Sequence, residues 1–180
     1  MNNLKNILSQ YQNSFIKKIY SDENNDYDIL MDIFSITPDL KRENRQYWGR
    51  ELGMCWQLLV TETFRKACPD SGPAIRIGKD EPCDLTVEKY AIDTKYRIGS
   101  GDSGTLKKFK SYGSLLKDEG FEPVLLILRN DNLPSALNAF RKSGWLIYTG
   151  EYSFNLIRTL SGFDLKSFLK EQKGKYDIKR

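Results

Sequence analysis

Leu4, Ile7, Leu8, Tyr11, Phe15, Ile16 and Ile19 recur at the three- and four-residue spacing of one helix face, and the Asn/Asp-rich stretch 21–27 interrupts the pattern. A short apolar segment, 29–36, stops ahead of Pro38, because proline disfavours helical backbone at the residue before it, and the charged run Lys41-Arg42-Glu43 leads onward. Over 44–67 the apolar set Trp48, Leu52, Cys55, Trp56, Leu59, Thr63 and Phe64 marks a long amphipathic helix, stopped by Pro69 and Gly72. It is the strongest helix signal in the chain.

Beyond Pro73 the period shortens. Residues 74–77, 84–87 and 90–98 read as three successive strands of a meander, joined by Gly78-Lys79-Asp80 and by Glu88-Lys89. A glycine-rich loop, 99–104, precedes a helical stretch 105–119 that ends at Gly120. Residues 123–128 are continuously apolar, the mark of a strand buried on both faces. Helix is then predicted over 133–142, strand over 145–148, and helix over 152–160 and 164–170. The order predicts an α/β fold with a mixed β-sheet flanked by helices. Within one structural domain, 1–40 forms an N-terminal helical segment, 41–172 the core and 173–180 a polar tail.

The 180 residues, 39% hydrophobic and 29% charged, suit one globular domain. No apolar run approaches the roughly 20 residues of a membrane span, and Met1-Asn2-Asn3-Leu4 opens neither a signal nor a transit peptide. Cys55, Cys68 and Cys83 are odd in number and lack C-x-x-C spacing, which reads as buried thiols in a reducing compartment, so the expected location is cytoplasmic. A net charge of +4 is compatible with a polyanionic partner without demonstrating one. The absence of histidine removes Ser-His-Asp and Cys-His nucleophile systems and His-ligated zinc, leaving carboxylates, Lys, Tyr or a metal ion for any catalysis.

The stretch 84–95 reads Asp-Leu-Thr-Val-Glu-Lys-Tyr-Ala-Ile-Asp-Thr-Lys. If Glu88-Lys89 is a two-residue hairpin loop, Val87 pairs with Tyr90, and counting back places Asp84 opposite Asp93 on a shared face. Like charges at that separation repel unless a cation lies between them. Lys95, two residues beyond Asp93, projects from the same face. Magnesium takes oxygen ligands and needs only one or two carboxylates, which Asp84 and Asp93 supply, with the Thr94 main-chain carbonyl as a further oxygen. Lys95 can orient an attacking water and stabilise negative charge, and metal ions acidify bound water without histidine. The same spacing also fits a solvated hairpin carrying ordinary surface charges, and Glu-Lys is an unfavoured turn pair.

Asp84 followed nine residues later by Asp93-Thr94-Lys95, then a helix and an apolar strand, resembles the PD-(D/E)xK nuclease superfamily over about 45–128, with Cys83-Asp84 in place of Pro-Asp. Without a helicase or ATP motif, the chain is most similar to a type II restriction endonuclease. The resemblance implies a restriction-endonuclease-like core over 41–172, Mg2+-dependent sequence-specific hydrolysis of phosphodiester bonds in double-stranded DNA, a homodimer, and a cognate DNA methyltransferase protecting the same site. It assigns catalysis to Asp84, Asp93 and Lys95, and metal binding to Asp84, Asp93 and Thr94. The family often adds an acid from the preceding helix. Glu51 and Glu62 are both candidates, about 20° apart around the helix, with Glu51 the preferred fourth catalytic residue.

On that reading the loop 99–104 approaches DNA, with Arg97, Ser100, Ser103, Thr105, Lys107, Lys108 and Lys110 as DNA-binding residues. The lysines equally suit a solvated helix face. Two further readings stay open: a structure-specific repair or junction-resolving nuclease of the same fold, and a dinucleotide-binding protein using Gly99-Ser100-Gly101-Asp102-Ser103-Gly104, which matches G-x-G-x-x-G between a strand and a helix. Trp48, Trp56 and Trp145 sit in amphipathic patterns that assign them to the core.

Overall fold

A computed structural model describes residues 2–101 and 103–178. In chain order its elements are α1 (Asn2–Lys17), α2 (Ile29–Phe34), α3 (Pro38–Glu43), α4 (Arg45–Ala67), β1 (Gly72–Pro73), β2 (Leu85–Val87), β3 (Tyr90–Lys95), α5 (Ser103–Asp118), β4 (Glu122–Ile127), α6 (Pro134–Lys142), β5 (Leu146–Thr149), α7 (Glu151–Ser161) and α8 (Leu165–Lys170). The five strands form one mixed sheet in the order β1-β2-β3-β4-β5, antiparallel from β1 to β3 and parallel from β3 to β5.

Helices cover both faces, so the central strands are buried on both sides, as the unbroken apolar run of β4 requires. On one face Leu52, Trp56, Val60 and Phe64 of α4 pack with α2, α7 and α8 against Ile92, Val124 and Leu126. On the other, Phe109, Tyr112 and Leu116 of α5 and Ala136, Leu137 and Phe140 of α6 pack against Ala91, Leu125 and Ile127. Trp56 and Trp145 are buried in these two layers with their indole N–H groups satisfied, donating to the carbonyls of Leu126 at 3.2 Å and Phe109 at 2.8 Å.

Local signals set the helix starts. Asp28 Oδ1 accepts from the amides of Leu30 and Met31 at the start of α2, Thr37 precedes Pro38 and caps α3, and Asn44 Oδ1 accepts from Tyr47 N at the start of α4. The Thr37-Pro38 pair thus begins a helix over the run that the sequence pattern left unassigned. The first strand is two residues long and lies at Gly72–Pro73, not at 74–77. Pro73 has no amide hydrogen to extend the ladder, and Thr86 Oγ1 occupies the space that a Cβ on Gly72 would need. β3 ends at Lys95, three residues before the predicted limit, and α5 begins at Ser103. Of the three free cysteines, Cys83 is buried while Cys55 and Cys68 are half-buried, correcting the reading that all three are buried. Among the described residues no helix is long and apolar enough to cross a membrane.

Candidate active site

The β2–β3 hairpin adopts the register obtained by counting back from a two-residue loop: Val87 faces Tyr90, Thr86 faces Ala91 and Leu85 faces Ile92. Its turn places Glu88 at φ 51°, a left-handed conformation that a residue with a Cβ adopts at a cost. Beyond β2 the Asp84 amide still donates to the Ile92 carbonyl at 2.8 Å, which brings Asp84 beside Asp93.

The two carboxylates are held differently. Asp84 Oδ2 accepts from the Thr94 amide at 2.7 Å and the Thr94 hydroxyl at 2.6 Å, and its Oδ1 accepts from Gln57 Nε2 at 2.7 Å. Asp93 Oδ2 accepts from Lys95 Nζ at 2.5 Å, and the same ammonium donates to the Thr94 carbonyl at 3.0 Å. The expected common face is therefore only partly realised, because Asp84 lies outside β2 and turns toward Thr94 and α4. Lys95 and Asp93 do share a face, and the Lys95 ammonium is 5.8 Å from the Phe109 ring centre.

Asp93 is 8% exposed. Burial pushes its carboxyl up to about 6, while the Lys95 ammonium pulls it down and the Asp84 carboxylate adds to the rise. The cluster is thus a buried, electrostatically uneasy acid beside a second acid. Its all-oxygen donors (Asp84, Asp93 and the Thr94 carbonyl) suit magnesium, which needs few protein ligands and retains waters. Among the described residues no group of three or more His, Cys, Asp or Glu side chains is placed to hold a metal ion.

Next to the cluster opens a cleft of about 550 Å³, lined by Ser21–Glu23, by one face of α4 that includes Arg45, Gly49, Arg50, Gly53 and Gln57, and by residues 94–97. Thr94, Lys95 and Gln57 line it; Asp84 and Asp93 bond to these residues without lining it themselves. Gln57 is the α4 residue that reaches the acidic cluster. The chemistry of a metal site points to acids on that helix and passes over an amide; the signal for Gln57 is its position four residues from Gly53 and eight from Gly49 on one helix face.

Glu51, the preferred fourth member, is corrected: it lies 200° from Gly49 around the helix, does not line the cleft, and pairs with Arg50 at 2.9 Å. Glu62 pairs with Arg65 at 2.7 Å and Lys66 at 3.2 Å on the exposed surface. The DNA-contact set divides as well. Arg97 is turned inward at the edge of the cleft, donating to the Ser21 and Asp22 carbonyls and to Asp131, so its guanidinium braces the chain. Ser100 is half-buried and bridges to Tyr20. Ser103, Lys107, Lys108 and Lys110 are exposed on α5, Thr105 is half-buried, and the Lys108 charge bears on Asp93.

Asp102 of the glycine loop lies outside the described residues. Two of the loop's glycines serve the chain itself: an added Cβ at Gly99 would meet the Arg97 guanidinium at 2.5 Å, and one at Gly101 would meet Ala136 and Leu133. Ser21 N donates to the Gly99 carbonyl at 3.0 Å and Leu133 N to the Ile98 carbonyl at 2.8 Å. Internal packing thus takes the close approach that a pyrophosphate would require, which disfavours the dinucleotide reading.

A dense buried ion network adjoins the cleft. Lys41 donates to Glu23 and to the Tyr96 hydroxyl, Tyr96 donates to Asp28, and Arg129 bonds Asp28 at 3.0 Å and Asp131 at 2.8 Å. Burial lowers the Lys41 pKa against the pull of Glu23 and raises that of the Tyr96 hydroxyl, with Asp28 adding to the latter. This network anchors segment 23–28 to the ends of β3 and β4. The chain matches no protein-family model, no curated protein and no solved structure.

Proposed function

We propose that this protein is a magnesium-dependent endonuclease with a restriction-endonuclease-like core, acting as a type II restriction enzyme on double-stranded DNA. The observation that carries this reading is the meeting of Asp84, Asp93, Thr94 and Lys95 at the hairpin end next to an open cleft. Asp84, Asp93 and the Thr94 carbonyl would hold magnesium, which supplies charge neutralisation at the phosphate and makes water more acidic.

The protein's own groups perform the rest. Gln57 and the Thr94 amide and hydroxyl fix the Asp84 carboxylate by three hydrogen bonds, so its orientation needs little reorganisation. Lys95, directed by Asp93 and the Thr94 carbonyl and lining the cleft, offers N–H donors to the attacking water and to the negative charge that grows on the phosphate oxygens. Water adds to phosphorus as the bond to the leaving sugar oxygen breaks; the attacking water gives a proton to solvent and the leaving oxygen takes one from solvent. Lys107, Lys108 and Lys110 contribute sequence-independent attraction to the phosphate backbone. Cutting both strands calls for two centres, hence a homodimer, and a methyltransferase of matching specificity would protect the host.

The test is incubation of purified protein with unmethylated plasmid and phage DNA, with Mg2+ and with chelator, resolved on a gel. Discrete fragments that require Mg2+ are expected. Cleavage confined to branched DNA would replace restriction by junction or repair chemistry, and intact DNA on every substrate would overturn the nuclease reading.

A further inference from the structure

α1 carries an apolar surface that its own chain leaves uncovered. Leu4, Ile7, Leu8, Tyr11 and Phe15 fall within a stripe about 100° wide, and their exposures run from 50% to 70%. Ile16, about 80° to one side of the stripe, and Ile19, two residues past the helix end, are exposed as well. Patches of this size on a soluble chain mark an interaction site.

We propose that this stripe is a self-association surface, its occupant the α1 helix of a second copy of this chain. Three observations select that occupant. The spacing from Leu4 to Leu8, Tyr11 and Phe15 is four, three and four residues, the seam by which two helices interlock side chains. Of the positions bordering the stripe, Gln12 and Ser14 are neutral and Lys5 is cationic, so an antiparallel pair sets Lys5 against Gln12 and no like charges meet, whereas a helix built to lie on a membrane carries a Lys/Arg-rich polar face. Residues 4–19 contain only Lys5, Lys17 and Lys18 as charges. The area also fits: the five apolar side chains of the stripe, exposing on the order of 100 Å² each, offer roughly 500 Å² per copy, about 1,000 Å² in all, the size at which a specific interface begins.

The surface is joined to the cleft. Directly after α1, Tyr20 bridges to Ser100, the Ser21 carbonyl and hydroxyl accept from Arg97, and residues 21–23 line the cleft. Pairing through α1 therefore couples two clefts through a short, anchored segment. The surface stands on its own geometry; its consequence for cutting both DNA strands rests on the nuclease reading.

Sedimentation velocity of the full chain over a wide concentration range tests this with wild type, Leu8→Glu/Phe15→Glu, and Leu58→Glu as an exposed apolar control on α4. The expected result is a dimer for wild type and the control, and a monomer for the double variant, with unchanged circular dichroism and thermal midpoint. A monomeric wild type, or a dimer surviving the double substitution, would overturn the assignment. So would flotation of wild type with anionic phosphatidylserine vesicles that the double variant loses, which would make the stripe a membrane contact. On plasmid DNA the monomeric variant should nick supercoiled circles while producing at least tenfold less linear product. If no form cuts DNA while the double variant still loses the dimer, the nuclease reading fails and the surface stands.

Discussion

Replacing Asp93 by Asn should stabilise the protein while removing the proposed Mg2+-dependent cleavage. The carboxyl is buried and titrates at about 6, against an ordinary value of 3.8. The folded state therefore binds this proton more tightly than the unfolded chain does. The group's contribution to stability is most favourable below pH 3.8 and is lost as pH rises through 6. A shift of about two units corresponds to about 3 kcal/mol of destabilisation at pH 8, shrinking below 1 kcal/mol at pH 4. Asn removes that charge but also weakens the hold on Lys95, whose 37% exposed side chain can turn to water at a cost of about 1 kcal/mol. The net expectation in metal-free buffer is a gain of about 2 kcal/mol at pH 8 that disappears by pH 4. Urea unfolding of wild type and Asp93→Asn at both pH values, with chelator present, measures it directly. A variant that loses stability at pH 8, or gains equally at both pH values, would refute the electrostatic account of this acid.

Further outcomes follow from the same geometry. Gln57→Ala should lower the Mg2+-dependent cleavage rate by tenfold or more with unchanged thermal midpoint, while Glu51→Gln leaves the rate within twofold; the opposite ranking in a plasmid assay would restore Glu51 to the site. Arg129→Ala strands Asp28 and Asp131 in a buried network and should cost about 3–5 kcal/mol in urea unfolding. Glu88→Gly relieves the left-handed turn and should raise stability by about 0.5–1 kcal/mol, and a lower thermal midpoint would show that the turn is not strained. Neutralising Lys107, Lys108 and Lys110 together should reduce the slope of log affinity against log salt for duplex DNA by about 2–3, without changing the fold.

Much of this architecture was written in the sequence. Periodicity distinguishes helix from strand over a few residues, so α4, β4 and the α5–β4–α6 succession were legible without any knowledge of the fold. The hairpin register was legible too, since a two-residue loop fixes every pair behind it. The first strand escaped because its two residues, one a proline, are defined only by the partner strand they meet. Where a side chain points once its strand has ended is likewise a tertiary matter. Asp84 left the face shared with Asp93 because Thr94 and Gln57 offered it three donors. Arg97, a DNA contact by the sequence reading, is an internal brace once segment 21–28 folds over it. Gln57 rather than Glu51 faces the cleft because the rotation of α4 is set by burying Leu52, Trp56, Val60 and Phe64, a choice made by packing against the sheet. The residue types thus determined which chemistry is open to the chain, and packing decided which of them stand together.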